Sequence, residues 1–326
     1  MNDMDDIQPN LTDHERALIE SETRLLHEVP PAGSLHAQKP RRPLPHVLED
    51  WRLAHAVRFM ERNMAESAQL DAVAAHVDLS PFHFQRYFKD AMGESPAAYV
   101  RRVKLDEAAV SLWINDKPVI ELAFGSGYGS HEAFVRAFHR QFGLVPSQYR
   151  AYARRAASQP EAADLERAKT VRVQPMQPIS LLAMRFYGPY ANVETHWQNF
   201  ATAIRASGLQ LDGQQAIGVA YDTPEITPNE LIRYDCAIVN PGFDNGRSPL
   251  TTLTFESDIY ASLEHHAPYA EIFDTYRMLS ITWLAGAAQS YAIEVIRAYE
   301  RYREPPWKNH GGTKRFDLML PVKKRK

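Results

Sequence analysis

Two short stretches carry the residue types that read nucleic acid. Residues 80–88 are "SPFHFQRYF" and residues 130–138 are "SHEAFVRAF". Ser80 and Ser130, Phe84 and Phe134, Arg86 and Arg136, Phe88 and Phe138 match at an offset of 50, and the match continues through Gly93 and Gly143, Pro96 and Pro146, Tyr99 and Tyr149. Glutamine pairs with adenine N6 and N7, and arginine with guanine O6 and N7. Gln85 and Arg86, beside Phe82 near the start of a helix, are therefore candidates for base contact. In the second copy His131, Glu132 and Arg136 hold the corresponding places, with Ser80 and Ser130 at the two helix starts. Glu132 is ambivalent: a carboxylate accepts from cytosine N4, and it also repels phosphate, leaving its helix to touch backbone only. The alternative for Gln85 and Arg86 is a solvated face, or an internal salt bridge for Arg86. The duplication and the turn chemistry favour base reading.

The elements that must position these side chains are helices. Phe84, Tyr87 and Phe88 fall at i, i+3, i+4, a core stripe that leaves Phe82, Gln85 and Arg86 away from its centre. Ser80 suits an N-cap and Pro81 a first helical residue. A short apolar helix, "LDAVAAHV", precedes the first copy. One long helix follows it over roughly 96–114, and "NDKP" breaks that helix. "VIELAF", the turn "GSGYGS" and "HEAFVRAFHRQF" then repeat the plan. Short helix, turn and second helix, made twice, is the pattern of tandem helix-turn-helix units, each placing its second helix in a DNA major groove. Two readers joined by one rigid helix can engage successive turns of a duplex, about 34 Å apart.

Charge supports the same third of the chain. The net charge is −3, but residues 51–155 carry 14 Lys and Arg against 11 Asp and Glu, while residues 1–50 carry 5 against 10. The 326-residue length predicts about two domains, and 44% hydrophobic with 24% charged residues is ordinary for a globular chain. No apolar run reaches the roughly 18 residues of a membrane span. The acidic start "MNDMDDIQPN" is unlike a secretory signal, so a cytoplasmic location and no membrane partner are expected. The single Cys236 lies in the apolar run "CAIV" and reads as a buried structural thiol. No CxxC, HExxH or phosphate-cradling glycine loop occurs. His265 and His266 are adjacent and face opposite sides of a strand, poor geometry for one metal. No cofactor, metal or catalytic residue is expected.

Residues 1–49 read as a flexible extension with one short helix within 12–29, and 156–169 as an Ala-rich charged linker. Beyond it the pattern changes. "TVRVQ" and "ISLLAMRFY" alternate as strands, and "ANVETHWQNFATAIRASG" is an amphipathic helix. "AIGVAYD" and "LIRYDCAIV" are strands. The order recurs with "DIYASLEHH", "APYAEIFDTYRMLSITWLAG", "IRAYERY" and "RFDLMLPV". "GPYANVETHW" aligns with "APYAEIFDTY" at an offset of 79, pairing Trp197 with Tyr276. Two strand–helix–strand–strand units make an α+β domain with helices on one face of the sheet. The fold class is thus multidomain: an all-α double helix-turn-helix domain over 50–155, then an α+β domain over 170–326.

The strings "LDAVAAHVDLSPFHFQRYFKDAMGESPAAYV" and "VIELAFGSGYGSHEAFVRAFHRQFGLVPSQYR" resemble the AraC/XylS class of bacterial transcription regulators. Their closing "GLVPSQYR" matches the end signature of that class. The resemblance implies base contacts from Phe82, Gln85 and Arg86, and from His131, Glu132 and Arg136. Asp78 stands where the class usually has Gly, and Asp tolerates the left-handed turn. Residues 170–326 resemble GyrI-like effector-binding domains in the Rob-type arrangement, most specifically in "AYDTPEITPNELIRYD". That resemblance implies a pocket glutamate on a late strand among aromatics: Glu300 with Tyr302, Trp283, Tyr190 and Tyr269. A carboxylate in an aromatic-walled cleft favours a cation. The alternative for Glu300 is an edge-strand carboxylate paired with Arg297 or Arg301, and for Trp283 a core tryptophan. The expected partners are double-stranded DNA, a small lipophilic effector and RNA polymerase. The rival functions are a hydrolase using the pocket glutamate as base, and a ligand-free protein-interaction module.

Overall fold

The computed structural model describes residues 44–64, 70–156, 162–255, 259–293, 297–308 and 311–325. The helix expected within residues 12–29 lies outside the described residues. Among the described residues seven helices form the first half: α1 Trp51–Arg62, α2 Leu70–His76, α3 Pro81–Met92, α4 Pro96–Ile114, α5 Val119–Gly125, α6 His131–Phe142 and α7 Pro146–Ala156. Their ends are set locally. Ser80, Ser95 and Ser130 cap α3, α4 and α6 by accepting from the amides of His83, Ala98 and Ala133 at 3.2–3.4 Å. Pro81 and Pro96 occupy first-turn positions where no amide is needed. Gly93 and Gly143 close α3 and α6 at φ 70° and 73°, a left-handed conformation in which a side chain is strained. Asp78 adopts φ 57° in the first turn, the position where Gly is usual in the class it resembles.

Each helix-turn-helix unit has its own core. Phe84, Phe88 and Tyr99 are fully buried in the first, and Phe134, Phe138 and Tyr149 in the second. Tyr99 meets Phe88 edge-on at 5.8 Å, and Tyr149 meets Phe138 edge-on at 5.3 Å. Helix α4 belongs to both cores, Val103 to the first and Leu105, Ala109 and Leu112 to the second. It therefore fixes the two units relative to one another.

The second half is an antiparallel sheet with helices. Its elements are α8 Ala162–Ala168, β1 Arg172–Pro175, β2 Ile179–Tyr187, α9 Val193–Ala206, β3 Ala216–Ala220, β4 Arg233–Val239, β5 Thr251–Phe255 and β6 Ile259–Pro268. There follow α10 Ile272–Arg277, a π-helical turn Met278–Trp283, α11 Leu284–Ala287, β7 Tyr291–Ile293, β8 Ala298–Tyr302 and β9 Thr313–Lys324. The strand order is β1-β6-β9-β8-β3-β4-β2-β5, with β7 paired to the end of β9. The two expected units, β2–α9–β3–β4 and β6–α10–β8–β9, are both present. They meet where β3 pairs with β8 and Gly218 lies opposite Glu300. Strands β5 and β7 are additions that their short sequences did not announce.

Two expectations about the connections are corrected. Residues 162–168 of the supposed linker form α8, whose Arg167 donates to Thr275 Oγ1 at 3.0 Å. Residues 44–48, assigned to the extension, belong to the folded body. Leu44 and Leu48 are buried in the first helical core, and Val47 bridges to Phe186 at the end of β2. Helices α9 and α10 cover one face of the sheet. The other face is covered in part by α1, which the sequence gave no reason to expect.

Candidate functional site

On the helical domain, Ser80, Phe82, Gln85, Arg86 and Arg136 are exposed, and Ser130, His131 and Glu132 are half-buried. Phe82 is 71% exposed, unusual for so large an apolar side chain. The stripe Phe84, Phe88 turns inward, so α3 presents Phe82, Gln85 and Arg86 outward from its first turns. Between the two units runs a groove of about 380 Å³ lined by Gln85, Arg101, Lys104, Ser126, Gly127 and Tyr128. It joins the first helix-turn-helix unit, two cations of α4 and the turn of the second unit into one concave surface.

In the second domain Glu300 is fully buried on β8 and accepts four phenol hydroxyls. Tyr269 and Tyr276 donate to Oε1 at 2.8 and 3.1 Å, and Tyr234 and Tyr302 to Oε2 at 2.7 and 2.9 Å. A carboxylate offers about four lone-pair positions, so the set is full. Burial pushes the Glu300 carboxyl up from its ordinary value, while the four phenols hold it back. Four donors aimed at two oxygens suit the ionised form. Among the described residues no guanidinium or ammonium is bonded to it, and the edge-strand alternative does not stand. Strand β8 lies between β3 and β9, Arg301 pairs with Asp317 at 2.9 Å, and Arg297 lies over the Tyr221 ring.

The structure brings Tyr269 and Tyr302 onto Glu300 but separates the other two expected residues. Tyr190 donates its hydroxyl to the Asp222 carbonyl at 2.7 Å, and its ring meets Phe273 edge-on at 5.3 Å. Trp283 lies 5.9 Å from the Tyr291 ring and does not reach the carboxylate or the adjoining cavity. Tyr234 and Tyr276 were missed. Both stood in strings already singled out, Tyr234 in "RYD" and Tyr276 as the repeat partner of Trp197. Trp197 itself packs edge-on to Tyr302 at 5.2 Å, so both repeats send an aromatic to the same place. Cys236 is fully buried next to this site, and burial pushes its thiol well up, which makes it inert.

Beside the glutamate lies a cavity of about 110 Å³. Tyr190, Phe273, Tyr276 and Ile281 line it from the sheet domain, and Val110, Trp113 and Ile114 from α4. Segment 221–225 supplies a further wall. Tyr276 is shared: its ring lines the cavity while its hydroxyl holds Glu300. Arg277, Arg297 and Glu225 line the cavity too, with Asp222, whose carboxylate is paired to Arg233.

A buried charge cluster joins the domains. Arg58 and Glu61 of α1 meet Arg185, Arg233, Asp235 and Asp222 of the sheet domain. Glu61 accepts from Arg185 at 2.8 and 2.9 Å and from Arg233 at 3.1 Å. Asp235 accepts from Arg185 at 2.6 Å, Arg58 at 2.8 Å and Tyr221 at 2.6 Å. Arg233 pairs with Asp222 at 2.7 Å. Three arginines face three carboxylates, so the cluster is neutral. Among the described residues no group of His, Cys, Asp and Glu could hold a metal ion, and no helix is long and apolar enough to cross a membrane.

Comparison with known proteins agrees with this division. Residues 73–152 match the model of a helix-turn-helix domain, and residues 169–323 that of a GyrI-like small molecule binding domain. The right origin-binding protein of Escherichia coli K12 is 36% identical over 92 residues, which is 28% of this chain and 32% of that protein. The chain thus matches about a third of the length of that relative. The regulatory protein SoxS of Escherichia coli K12 is 31% identical over 94 residues, 29% of this chain and 88% of SoxS. Among solved structures, an AraC-type transcriptional regulator from Chromobacterium violaceum is 27% identical with a TM-score of 0.31, over 34% of this chain and 95% of that one. Tandem helix-turn-helix units on one shared helix, joined to a GyrI-like sheet with its buried glutamate, place the chain in the AraC family of transcriptional regulators, with a GyrI-like small-molecule binding domain following the reader.

Proposed function

We propose that the chain is a one-component regulator: the helical half reads a specific duplex sequence, and the sheet half senses a small lipophilic ligand that alters this reading. The observation that carries the proposal is the presence of two differently lettered readers on one helix, next to an aromatic-walled cavity that shares Tyr276 with a buried glutamate. The readers differ in sequence, so one polypeptide suits one asymmetric site with no palindrome. Arg101 and Lys104 in the intervening groove suit the phosphate backbone that crosses between major grooves.

Arg86→Ala should weaken binding to the preferred duplex by about 1–3 kcal/mol and relax the preference at one base pair. The preferred duplex is obtained by selection from a random pool, and affinities are then measured by fluorescence anisotropy. Equal losses on selected and scrambled duplexes would make Arg86 a phosphate or structural residue instead. RNA polymerase as a partner belongs to the same proposal, since a regulator of transcription must act on it directly or by exclusion.

For the ligand, a cation is favoured. Among the described residues Glu300 has no bonded cation, so it brings a negative charge into an aromatic setting; aromatic faces attract positive charge, while Arg277 and Arg297 on the cavity wall oppose it. All four lone-pair positions of the carboxylate are occupied, which disfavours a base that needs a free one and so disfavours the hydrolase reading. Tyr276 makes the longest of the four bonds and borders the cavity, so it is the phenol that a ligand would displace first. The test is calorimetric titration with (4-hydroxyphenyl)trimethylammonium and its neutral isostere 4-tert-butylphenol. Glu300→Gln should lose about 2 kcal/mol of affinity for the cation and keep that for the neutral probe within threefold. The amide nitrogen would face two phenol donors, so this variant is also less stable. Comparing two probes on one variant removes that effect. Equal losses for both probes would mean that the charge of Glu300 plays no part in recognition.

A further inference from the structure

Segment 221–232, between β3 and β4, touches the cavity, the charge cluster and both readers. Its first part walls the cavity through Tyr221, Asp222, Thr223 and Glu225. Tyr221 also donates to Asp235 and accepts from Arg58 at 3.1 Å. Ile226 is 1% exposed and packs in the core of the second reader unit, with Phe134 and Leu112. Leu231 is fully buried in the core of the first, with Tyr99 and Val103. A single loop of the sheet domain therefore contributes one core residue to each reader.

The cavity holds about 110 Å³, below the roughly 300–1,000 Å³ of pockets for drug-sized ligands, so a ligand of that size that enters it fully displaces a wall. Strands β3 and β8 are held by their ladder and α4 by two cores, while α10, which carries Tyr276, and the π-helical turn belong to neither helix-turn-helix core. Tyr221 and Asp222 are anchored in the charge cluster, and the rest of the wall is held by short turns, in which the amides of Ile226 and Thr227 donate to the Thr223 carbonyl at 3.0 and 2.8 Å. Of these walls the loop has the least regular hydrogen bonding, and it is tied to both readers.

Taking the cavity as the effector site proposed above, we infer that segment 221–232 is the coupling element. A ligand that displaces residues 223–225 shifts Ile226 in one reader core and Leu231 in the other, and so resets the placement of α3 relative to α6. Only a ligand that interacts differently with the two placements can shift them. Widening the 223–225 wall supplies that difference.

The experiment uses the full chain and the duplex it selects, with occupancy supplied in two ways: saturating (4-hydroxyphenyl)trimethylammonium, and Ser280→Phe, which fills the cavity from its own wall. Filling should change duplex affinity at least fivefold, within the usual range of allosteric coupling. Ile226→Ala and Leu231→Ala should keep probe affinity within twofold while the change in duplex affinity falls below twofold. Ile226→Val, one methyl smaller, should keep most of the change and serves where an alanine variant melts. A change that survives in both alanine variants overturns the proposal. So does Ser280→Phe with unaltered duplex affinity, because that variant depends on no probe. A failure of DNA reading itself would look different: the wild-type chain would not distinguish its selected duplex from a scrambled one.

Discussion

Asp235→Ala should destabilise the chain by about 3–5 kcal/mol, the range for removing one partner of a buried ion pair. Asp235 is fully buried and bonds Arg185, Arg58 and Tyr221, so its loss leaves two guanidiniums in the interface with too little compensating charge. At about 2–4 °C per kcal/mol the melting temperature should fall by roughly 6–20 °C. Because Arg58 comes from α1 and Arg185 from β2, the first event on heating should be separation of the two domains. Arg247→Ala provides the contrast. Arg247 and Asp78 also bridge the domains at 3.2 Å, but their side chains are 72% and 60% exposed. Such a pair contributes about 0–1 kcal/mol.

The same cluster sets an acid limit. Burial alone pushes Glu61 and Asp235 up, but Arg185 and Arg233 beside Glu61, and Arg185 and Arg58 beside Asp235, outweigh it. Both carboxyls end below their ordinary 4.5 and 3.8. A carboxyl lowered in the folded state stabilises above its ordinary value, and the contribution is lost as pH falls through the lowered one. The loss therefore appears below about pH 4. Asp106 on α4 acts oppositely: burial pushes it up to about 7, so its contribution is present in acid and lost as pH rises from 4 to 7. Melting curves from pH 2 to 8 should show the wild type and Asp235→Ala converging below pH 4. Parallel curves over the whole range would remove the cluster from the acid limit.

Gly218→Ala should destabilise by about 2–4 kcal/mol, through overpacking and a lost buried hydrogen bond. A methyl group at Gly218 would lie 2.0 Å from Tyr234 Oη and 3.0 Å from Glu300 Oε2. Strands β3 and β8 are locked in register, so the phenol must leave and Glu300 loses one of its four donors. The backbone there is ordinary, and the requirement for glycine is one of space alone. Gly125→Ala, with nothing within 4 Å, should be neutral or stabilise by up to about 1 kcal/mol. If both substitutions prove equally mild in thermal melts, the packing of Tyr234 over Gly218 does not hold the glutamate.

The helical half was legible because its signals are local. Ser95, Pro96 and Asn115 bound α4 within their own neighbourhood, and Ser80 with Gly93 bounds α3. A 50-residue repeat exposed the duplication without any knowledge of contacts. In the sheet half, alternation gave the main strands, and Glu300 came from the resemblance. Its donors did not follow, because Tyr234 and Tyr276 stand 66 and 24 residues away and reach it only through strand order and the seating of α10. Trp283 was misplaced for the same reason: the π-helical turn directs it to Tyr291. Arg58 and Glu61 could not be told from a solvated helix face, since charge at helical spacing looks the same against water or against Arg185 and Asp235. Ile226 and Leu231 read as parts of a loop, and only the docking of that loop against both readers made them core residues. Local backbone chemistry determined the elements from the sequence, and burial between distant elements, a property of the whole packed chain, decided which of their residues form the site.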